Sequence, residues 1–545
     1  MTEDYVFSVS DNPDDFFELF KLPGAEWGGA SGVVKFAEIV TRYQKEAVES
    51  GIKVQGFLFK KKSSNEVIAT VFVRWMEAFY KDINTTSLIS STPNPSSIGV
   101  NNATALTIQA VYVHPDYRAK GMAESLLKKT IEYVEEEIIQ EKLNTSDDTK
   151  KDNFKSMAMT DGRLDRRLCN YYLGKEYFWV LYSGVQNYYE RFGFKGYPLD
   201  FYKIPYSVVS DELQKMIEDM IDNKSSHPSG FGKKLKLLSG SNDLDRGTIS
   251  SILQGKELDL LMELNQQVFH LELSSGQKSS SSLTNMQSML SMSKMGSFNA
   301  LGSITELSSL GNTGVIPANK EVGTQQRRRS SVMQLTTPKV ALKPDLNLLS
   351  THMARESDIA EWNKINREKA IQFSDIKGAI ITNELQQKTF YILWLSLKKT
   401  VIIGMGELKV DPLGFGLGGG RRRSSFTGLN DLGGINFQDL DLLISVACYV
   451  CRNRLLGDDS LYVSINDLPD NIPAPVLHDY FMNYLPNNFA DVNAHDDESA
   501  PQETKIEFVN DASKRLRVLP MLRKFGSNSN DFQLDWTGSS MLTWG

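Results

Sequence analysis

At 545 residues the chain is too long for one ordinary domain, and its 41% hydrophobic content is enough for real cores. A net charge of -7 argues against a general nucleic-acid footprint, and three cysteines (Cys169, Cys448, Cys451) cannot build a disulfide framework. No apolar run reaches the ~18 residues of a membrane span. Met1-Thr-Glu-Asp-Tyr5 also lacks the regions of a signal peptide, so a soluble cytoplasmic protein is expected, with no nucleic acid or membrane among its partners.

In chain order, Tyr5 to Val9 alternates like a short strand, and Asp11-Asn-Pro-Asp-Asp15 supplies N-cap and first-turn acids for a helix through Phe16, Phe17, Leu19 and Phe20. Glu26-Trp-Gly-Gly29 precedes a second helical pattern, Val33 to Val48. Gln55 to Lys60 and Val67 to Tyr80 read as strands about the turn Ser63 to Glu66, and Asn84 to Ala103 as a polar loop. A central strand then runs through Leu106, Ile108, Val111 and Val113 and stops at Pro115. After the turn Arg118 to Gly121, Leu127, Ile131, Val134 and Ile138 recur at helical spacing. Asn144 to Lys155 is a polar stretch, Tyr177 to Val185 a strand, Gln186 to Phe192 a short helix closed by Gly193, and Phe194 to Ile204 a final hairpin strand.

The rest divides in two. Residues 223–344 are rich in Ser, Gly, Asn and Met and read as a mostly disordered linker, interrupted by a short helix from Glu257 to Leu273. Residues 345–545 read as a C-terminal α/β domain with a Gly/Arg-rich disordered loop at 411–435. Its elements are a helix from Ser357 to Phe373, paired strands Lys388 to Leu397 and Val401 to Val410, an apolar helix Phe437 to Leu456, a strand Ser460 to Ile465 and a helix Ala474 to Tyr484. The predicted fold class is α/β: a mixed sheet with flanking helices in residues 1–222, the C-terminal domain, and disordered inserts.

The turn at Arg118 to Gly121 carries the chemistry. A helix N-terminus gathers free backbone N–H groups, Gly121 permits close approach, and Arg118 and Lys120 add charge. It has neither the Walker spacing nor three fingerprint glycines. By itself it reads either as ordinary helix-start chemistry or as a phosphate site.

Arg118-Ala-Lys-Gly-Met-Ala123 resembles the Arg/Gln-x-x-Gly-x-Gly/Ala signature of the GCN5-related N-acetyltransferases. Val111-Tyr-Val-His-Pro-Asp-Tyr-Arg118 resembles their lead-in strand, and Tyr189-Glu-Arg-Phe-Gly-Phe194 their second block. The resemblance implies a GNAT-type sheet and acetyl-CoA as co-substrate, with no metal. The pyrophosphate would lie on Arg118, Ala119, Lys120, Gly121, Met122 and Ala123, and the pantetheine arm along Val111 and Val113. Tyr189 would be the general acid that protonates the CoA thiolate. The chain departs from the family's pattern at Tyr182, where many members carry Asn, and at Ala123, where many carry Gly.

Glu26-Trp-Gly-Gly29, and Val180-Leu-Tyr-Ser183 followed by the second block, further resemble the fungal lysine N6-acetyltransferases of lysine catabolism. A C-terminal extension containing Trp362 and Phe390 to Val410 is in keeping. This likeness implies transfer of acetyl to the ε-amine of free L-lysine. The alternatives are a protein-lysine acetyltransferase and a non-catalytic acetyl-CoA-binding regulator. A lysine amine, with a pKa of about 10.4, must lose a proton before it attacks. Glu26 and Glu77 are the nearest acids by segment order, both reading as surface groups, and no base is assigned.

Arg327-Arg-Arg-Ser-Ser331 and Arg421-Arg-Arg-Ser-Ser425 suit a basophilic protein kinase, with Ser330, Ser331, Ser424 and Ser425 as phosphorylation candidates; a solvated charge run is the alternative. Cys448-x-x-Cys451 reads as core packing within an apolar helix, and His114, His352 and His478 show no metal-ligand spacing.

Overall fold

The computed structural model describes residues 4–29, 32–82, 99–222, 233–276, 337–346, 349, 372–383, 388–396, 399–408, 437–454, 459–469, 472–488, 505–510, 518–527 and 534–538. The amino-terminal elements follow in order: β1 (Tyr5–Ser10), α1 (Phe16–Trp27), α2 (Gly32–Glu49), β2 (Val54–Lys61), β3 (Val67–Lys81), β4 (Val100–Val113), α3 (Met122–Asn144), α4 (Asp148–Ala158), α5 (Arg166–Leu173) and β5 (Tyr177–Ser183). β1 to β4 pair antiparallel in sequence order, and β5 joins parallel to β4. This is a mixed α/β sheet with flanking helices, as the residues predict.

Each face of the sheet buries its own core. Alternation along the strands sends Val71, Val73, Leu106, Ile108, Trp179 and Leu181 toward α3, where they meet Leu127, Ile131, Val134 and Ile138. The opposite face carries Val54, Leu58 and Phe72 against Phe16, Leu19 and Phe20 of α1 and Ala37 and Ala47 of α2. Phe20 stacks on Phe72 with ring centroids 4.2 Å apart.

The first sheet also takes in distant strands. Leu519–Lys524 pairs antiparallel with β5, Lys339–Leu342 pairs with the end of β3, and Asp535–Trp536 pairs with Lys339–Leu342. A second sheet is ordered Lys233–Ser239, Ile376–Asn383, Lys388–Ser396, Thr400–Glu407, Ser460–Ser464, Phe201–Pro205, Glu507–Val509. The expected hairpin from Phe194 to Ile204 is therefore two strands in different sheets. Lys195–Gly196 stays in the first, whereas Phe201–Pro205 enters the second between Ser460–Ser464 and Glu507–Val509.

Several elements were not legible in advance. β4 begins at Val100, inside the stretch read as loop, because Val100 and Ala103 are buried against β3. α4 forms within the polar stretch: the Asp147 side chain accepts from the Lys150 N–H, and Phe154 and Ala158 reach the core. α5 is capped by Asp165, which accepts from the Arg167 and Leu168 N–H groups, and buries Cys169 and Leu173. Within the stretch read as linker, Lys233–Ser239 is a strand and Asp243–Gly276 a helix. That helix packs Ile249, Ile252 and Leu253 on the second sheet, and Leu261 and Leu264 on Phe79 and Val100 of the first.

The helix Phe437–Asn453 lies in the second core with Cys448 and Cys451, whose surroundings are Leu, Ile, Val and Tyr side chains. Burial pushes the Cys448 thiol well up. The predicted helix Ser357 to Phe373 lies almost wholly outside the described residues, and the loop at 411–435 and all four phosphorylation candidates lie entirely outside them.

Candidate functional site

β4 is bent by one inserted residue. Thr70 stands opposite Tyr112 and Phe72 opposite Gln109, so β3 takes two steps where β4 takes three. Ala110 absorbs the excess with a φ of 48°, in the left-handed region. β4 and β5 pair only from Thr104 with Tyr177 to Ile108 with Leu181. Both strands continue beyond that point, β4 to Val113 and β5 to Ser183. Past Ile108 the sheet therefore opens, and the backbone around Val111 faces the gap without a strand partner from β5. An extended ligand can add to such an edge.

The turn closes one end of the gap. Pro115–Tyr117 is a single 3-10 turn, capped by the His114 ring nitrogen accepting from the Asp116 N–H. Arg118 donates through Nε to the Val113 carbonyl at 3.1 Å, and Lys120 Nζ donates to the Asp116 carbonyl at 2.7 Å. Ala119 and Gly121 follow at φ of 60° and 74°. Gly121 is the N-cap of α3 and supplies no side-chain acceptor. The first intrahelical bond from the turn is Ser125 N–H to the Gly121 carbonyl, so the N–H groups of Met122, Ala123 and Glu124 project from the helix end. A Cβ built on Gly121 would meet nothing within 4 Å, which leaves open space over those donors. These residues fit a pyrophosphate: donors at the positive helix end, a cradle above them, and two cations beside it.

Of the two acids nearest by segment order, Glu26 reaches this turn. It lies in the last turn of α1 and accepts from Arg118 and, at 3.0 Å, from the Tyr112 hydroxyl. Those hydrogen bonds hold its carboxyl below the usual range, Arg118 contributing most. Trp27 meets the Tyr112 ring edge-on at 5.4 Å. Glu77 lies far along β3 and pairs with Lys343 at 2.7 Å. Arg191 also brings charge to the turn, reaching Glu124 in the first turn of α3 at 3.4 Å. Its signal was in the Tyr-Glu-Arg-Phe block.

Tyr189 sits in the 3-10 helix Gln186–Phe192, which Gly193 closes at a φ of 83°. Ser183 builds the entry: its hydroxyl donates to the Gln186 carbonyl at 2.7 Å and accepts from the Val185 N–H at 3.2 Å. The Tyr189 ring is buried in the same core as Met122, Leu126 and Leu181. Burial, with a smaller contribution from Tyr188, pushes its phenol up to about 12. Tyr182 faces the other side of the sheet and meets Trp536 edge-on at 6.0 Å.

Residues 47–161 match the model of the Acetyltransferase (GNAT) family, a span that runs from the end of α2 through the bent strand and the turn to α4. This segment is similar to the GNAT acetyltransferases. No curated protein matches the chain. Among solved structures, a GCN5-related N-acetyltransferase from Kribbella flavida is 10% identical, with a TM-score of 0.31, covering 96% of this chain and 72% of the other. A protein of Enterococcus faecalis described as a probable N-acyltransferase is 8% identical, with a TM-score of 0.36, covering 96% and 73%. The GNAT family uses acetyl-CoA, and among the described residues no cluster of His, Cys, Asp or Glu could hold a metal ion.

Glu26, which precedes the matched segment, occupies the cation of Arg118 that a phosphate would need. Glu26→Gln is expected to tighten acetyl-CoA binding by up to about fivefold at low salt, the gain shrinking as salt screens it. Titration of acetyl-CoA at several ionic strengths checks this. Weaker binding would instead mean that Glu26 holds Arg118 in position for the phosphate.

Proposed function

We propose that the chain transfers acetyl from acetyl-CoA to a primary amine, foremost the ε-amine of free L-lysine, in the cytoplasm and in lysine breakdown. The observation that carries acetyl transfer is the parting of β4 from β5 immediately before the open, uncapped start of α3. In this reading Arg118 to Ala123 hold the pyrophosphate. Val111 and Val113 align the pantetheine arm, and backbone N–H groups in the gap polarise the thioester carbonyl. The deprotonated amine attacks the carbonyl carbon, the carbon–sulfur bond of the tetrahedral intermediate breaks, and Tyr189 gives its phenolic proton to the departing thiolate; the proton that the attacking nitrogen sheds as it becomes an amide passes to solvent, from which the phenolate is reprotonated. The lysine acceptor rests on the resemblance of Glu26-Trp-Gly-Gly29 and of the second block. A basophilic kinase acting at the Arg-Arg-Arg-Ser-Ser sites would be its regulatory partner.

The test is release of the CoA thiol from acetyl-CoA, with free L-lysine, with a lysine-containing peptide and with no acceptor. Release that depends on free lysine supports the proposal. Release with the peptide alone transfers the activity to protein lysines. A chain that binds acetyl-CoA and releases no thiol with any amine is a binding protein, and the proposal fails.

A further inference from the structure

Arg74 occupies an unusual position in this sheet. It lies on β3 opposite Thr107 of β4, and Thr107 stands opposite Val180 of β5. The next pair, Ile108 with Leu181, is the last before β4 and β5 part. Arg74 and Thr107 therefore sit at the floor of the opening. Their neighbours Val73, Leu106 and Ile108 face α3, so by alternation both side chains face the opposite side of the sheet, away from Tyr189.

On that side they fall between two apolar clusters. One is Phe72 with α1 and α2, and the other includes Met76, Ala105, Val180 and Trp536. Arg74 is 2% exposed and Thr107 1%. Among the described residues, Nε and Nη2 of Arg74 and Oγ1 of Thr107 have no hydrogen-bond partner. Among the described residues, the acid whose charge reaches Arg74 is Asp345, just past Lys339–Leu342. A desolvated guanidinium with unmet donors is costly to keep, and its planar fork matches a carboxylate or a phosphate through two parallel bonds, of which an amine acceptor that is a free amino acid offers the carboxylate.

We propose that Arg74 and Thr107 bind the α-carboxylate of the acceptor, which makes the acceptor class free amino acids rather than lysines within proteins. The inference rests on the acetyl-transfer reading above and names the substrate class of that site. Arg74 takes the carboxylate through Nε and Nη2, Thr107 adds its hydroxyl, and the negative charge of Asp345 favours the neighbouring α-ammonium. The side-chain amine is left to cross the gap between β4 and β5 toward the thioester. In a peptide the same carboxylate is consumed in an amide, so the buried guanidinium would remain unmatched and the peptide would be rejected.

The experiment is calorimetric titration of the full chain, loaded with CoA, with L-lysine and with 1,5-diaminopentane, which is the same diamine without the carboxylate. It is run on the unaltered protein and on Arg74→Met and Thr107→Val, with acetyl-CoA affinity measured on all three as a check on folding. L-lysine is expected to bind about a hundredfold more tightly than the diamine, the difference vanishing in Arg74→Met and narrowing in Thr107→Val. Equal binding of the two ligands by the unaltered protein overturns the inference. So does an Arg74→Met protein that binds acetyl-CoA normally and still prefers lysine. Should Arg74→Met fail to fold, Thr107→Val decides, and an undiminished preference there overturns it. Thiol release separates this inference from the reading beneath it. Turnover of amines without regard to a carboxylate sinks only the Arg74 assignment, whereas carboxylate-dependent binding with no turnover sinks only acetyl transfer.

Discussion

Replacing Tyr189 by Phe is expected to slow acetyl transfer by about 10²- to 10⁴-fold and leave acetyl-CoA affinity unchanged. The ring that packs against Phe192 and Phe194 is retained, so the loss reports the proton alone. Burial disfavours the phenolate and pushes the phenol up to about 12, so the group is a proton donor throughout the neutral range. The sign of the pH dependence follows. A neutral acid is present below its pKa and lost above it, so the limb due to Tyr189 falls only near pH 12. Meanwhile kcat/KM should rise with pH toward the acceptor amine's pKa of about 10.4 as the nucleophile loses its proton. Rates of unaltered protein and variant between about pH 6 and 11 check both. A variant at full rate would return Tyr189 to a packing role.

Glu135→Ala is expected to lower stability by about 3–5 kcal/mol. The Glu135 carboxylate, on α3, accepts from three donors: Trp179 Nε1 of β5 at 2.9 Å, Arg523 Nη1 at 2.8 Å and the Gly526 backbone N–H at 2.9 Å. Truncation strands all three and leaves Arg523, itself 4% exposed, as a buried charge without its acid. Glu135→Gln should cost less, because one acceptor oxygen remains while the charge goes. These bonds tie α3, β5 and Leu519–Lys524 together beside the opening of the sheet, so acetyl-CoA affinity should fall along with stability. Denaturant unfolding of the three proteins measures the first effect and titration of acetyl-CoA the second. A loss under about 1 kcal/mol would mean the pair is screened as a surface ion pair is.

Local physics was readable without coordinates wherever it acts over a few residues. The central strand, its stop at Pro115, the turn from Arg118 to Gly121 and the stripe Leu127, Ile131, Val134, Ile138 follow from alternation, spacing and glycine's freedom. So does the short helix from Gln186 to Phe192 closed by Gly193. α5 escaped because its eight residues present only Cys169 and Leu173 to the core, too few to form a pattern. The inserted residue at Ala110 left no mark either, since alanine carries no preference for a left-handed backbone.

What the sequence by itself determined, then, is the strand, turn and helix that suit acetyl-CoA and the family they resemble. The tertiary structure alone decided which strands meet. It set Leu519–Lys524 beside β5, sent Phe201–Pro205 into the second sheet, joined Glu26 to Arg118, and buried Arg74 at the floor of the opening. The reason is physical. A strand's apolar face is written in its own residues, but its partner is chosen by complementarity between segments hundreds of residues apart, and no local pattern encodes that choice.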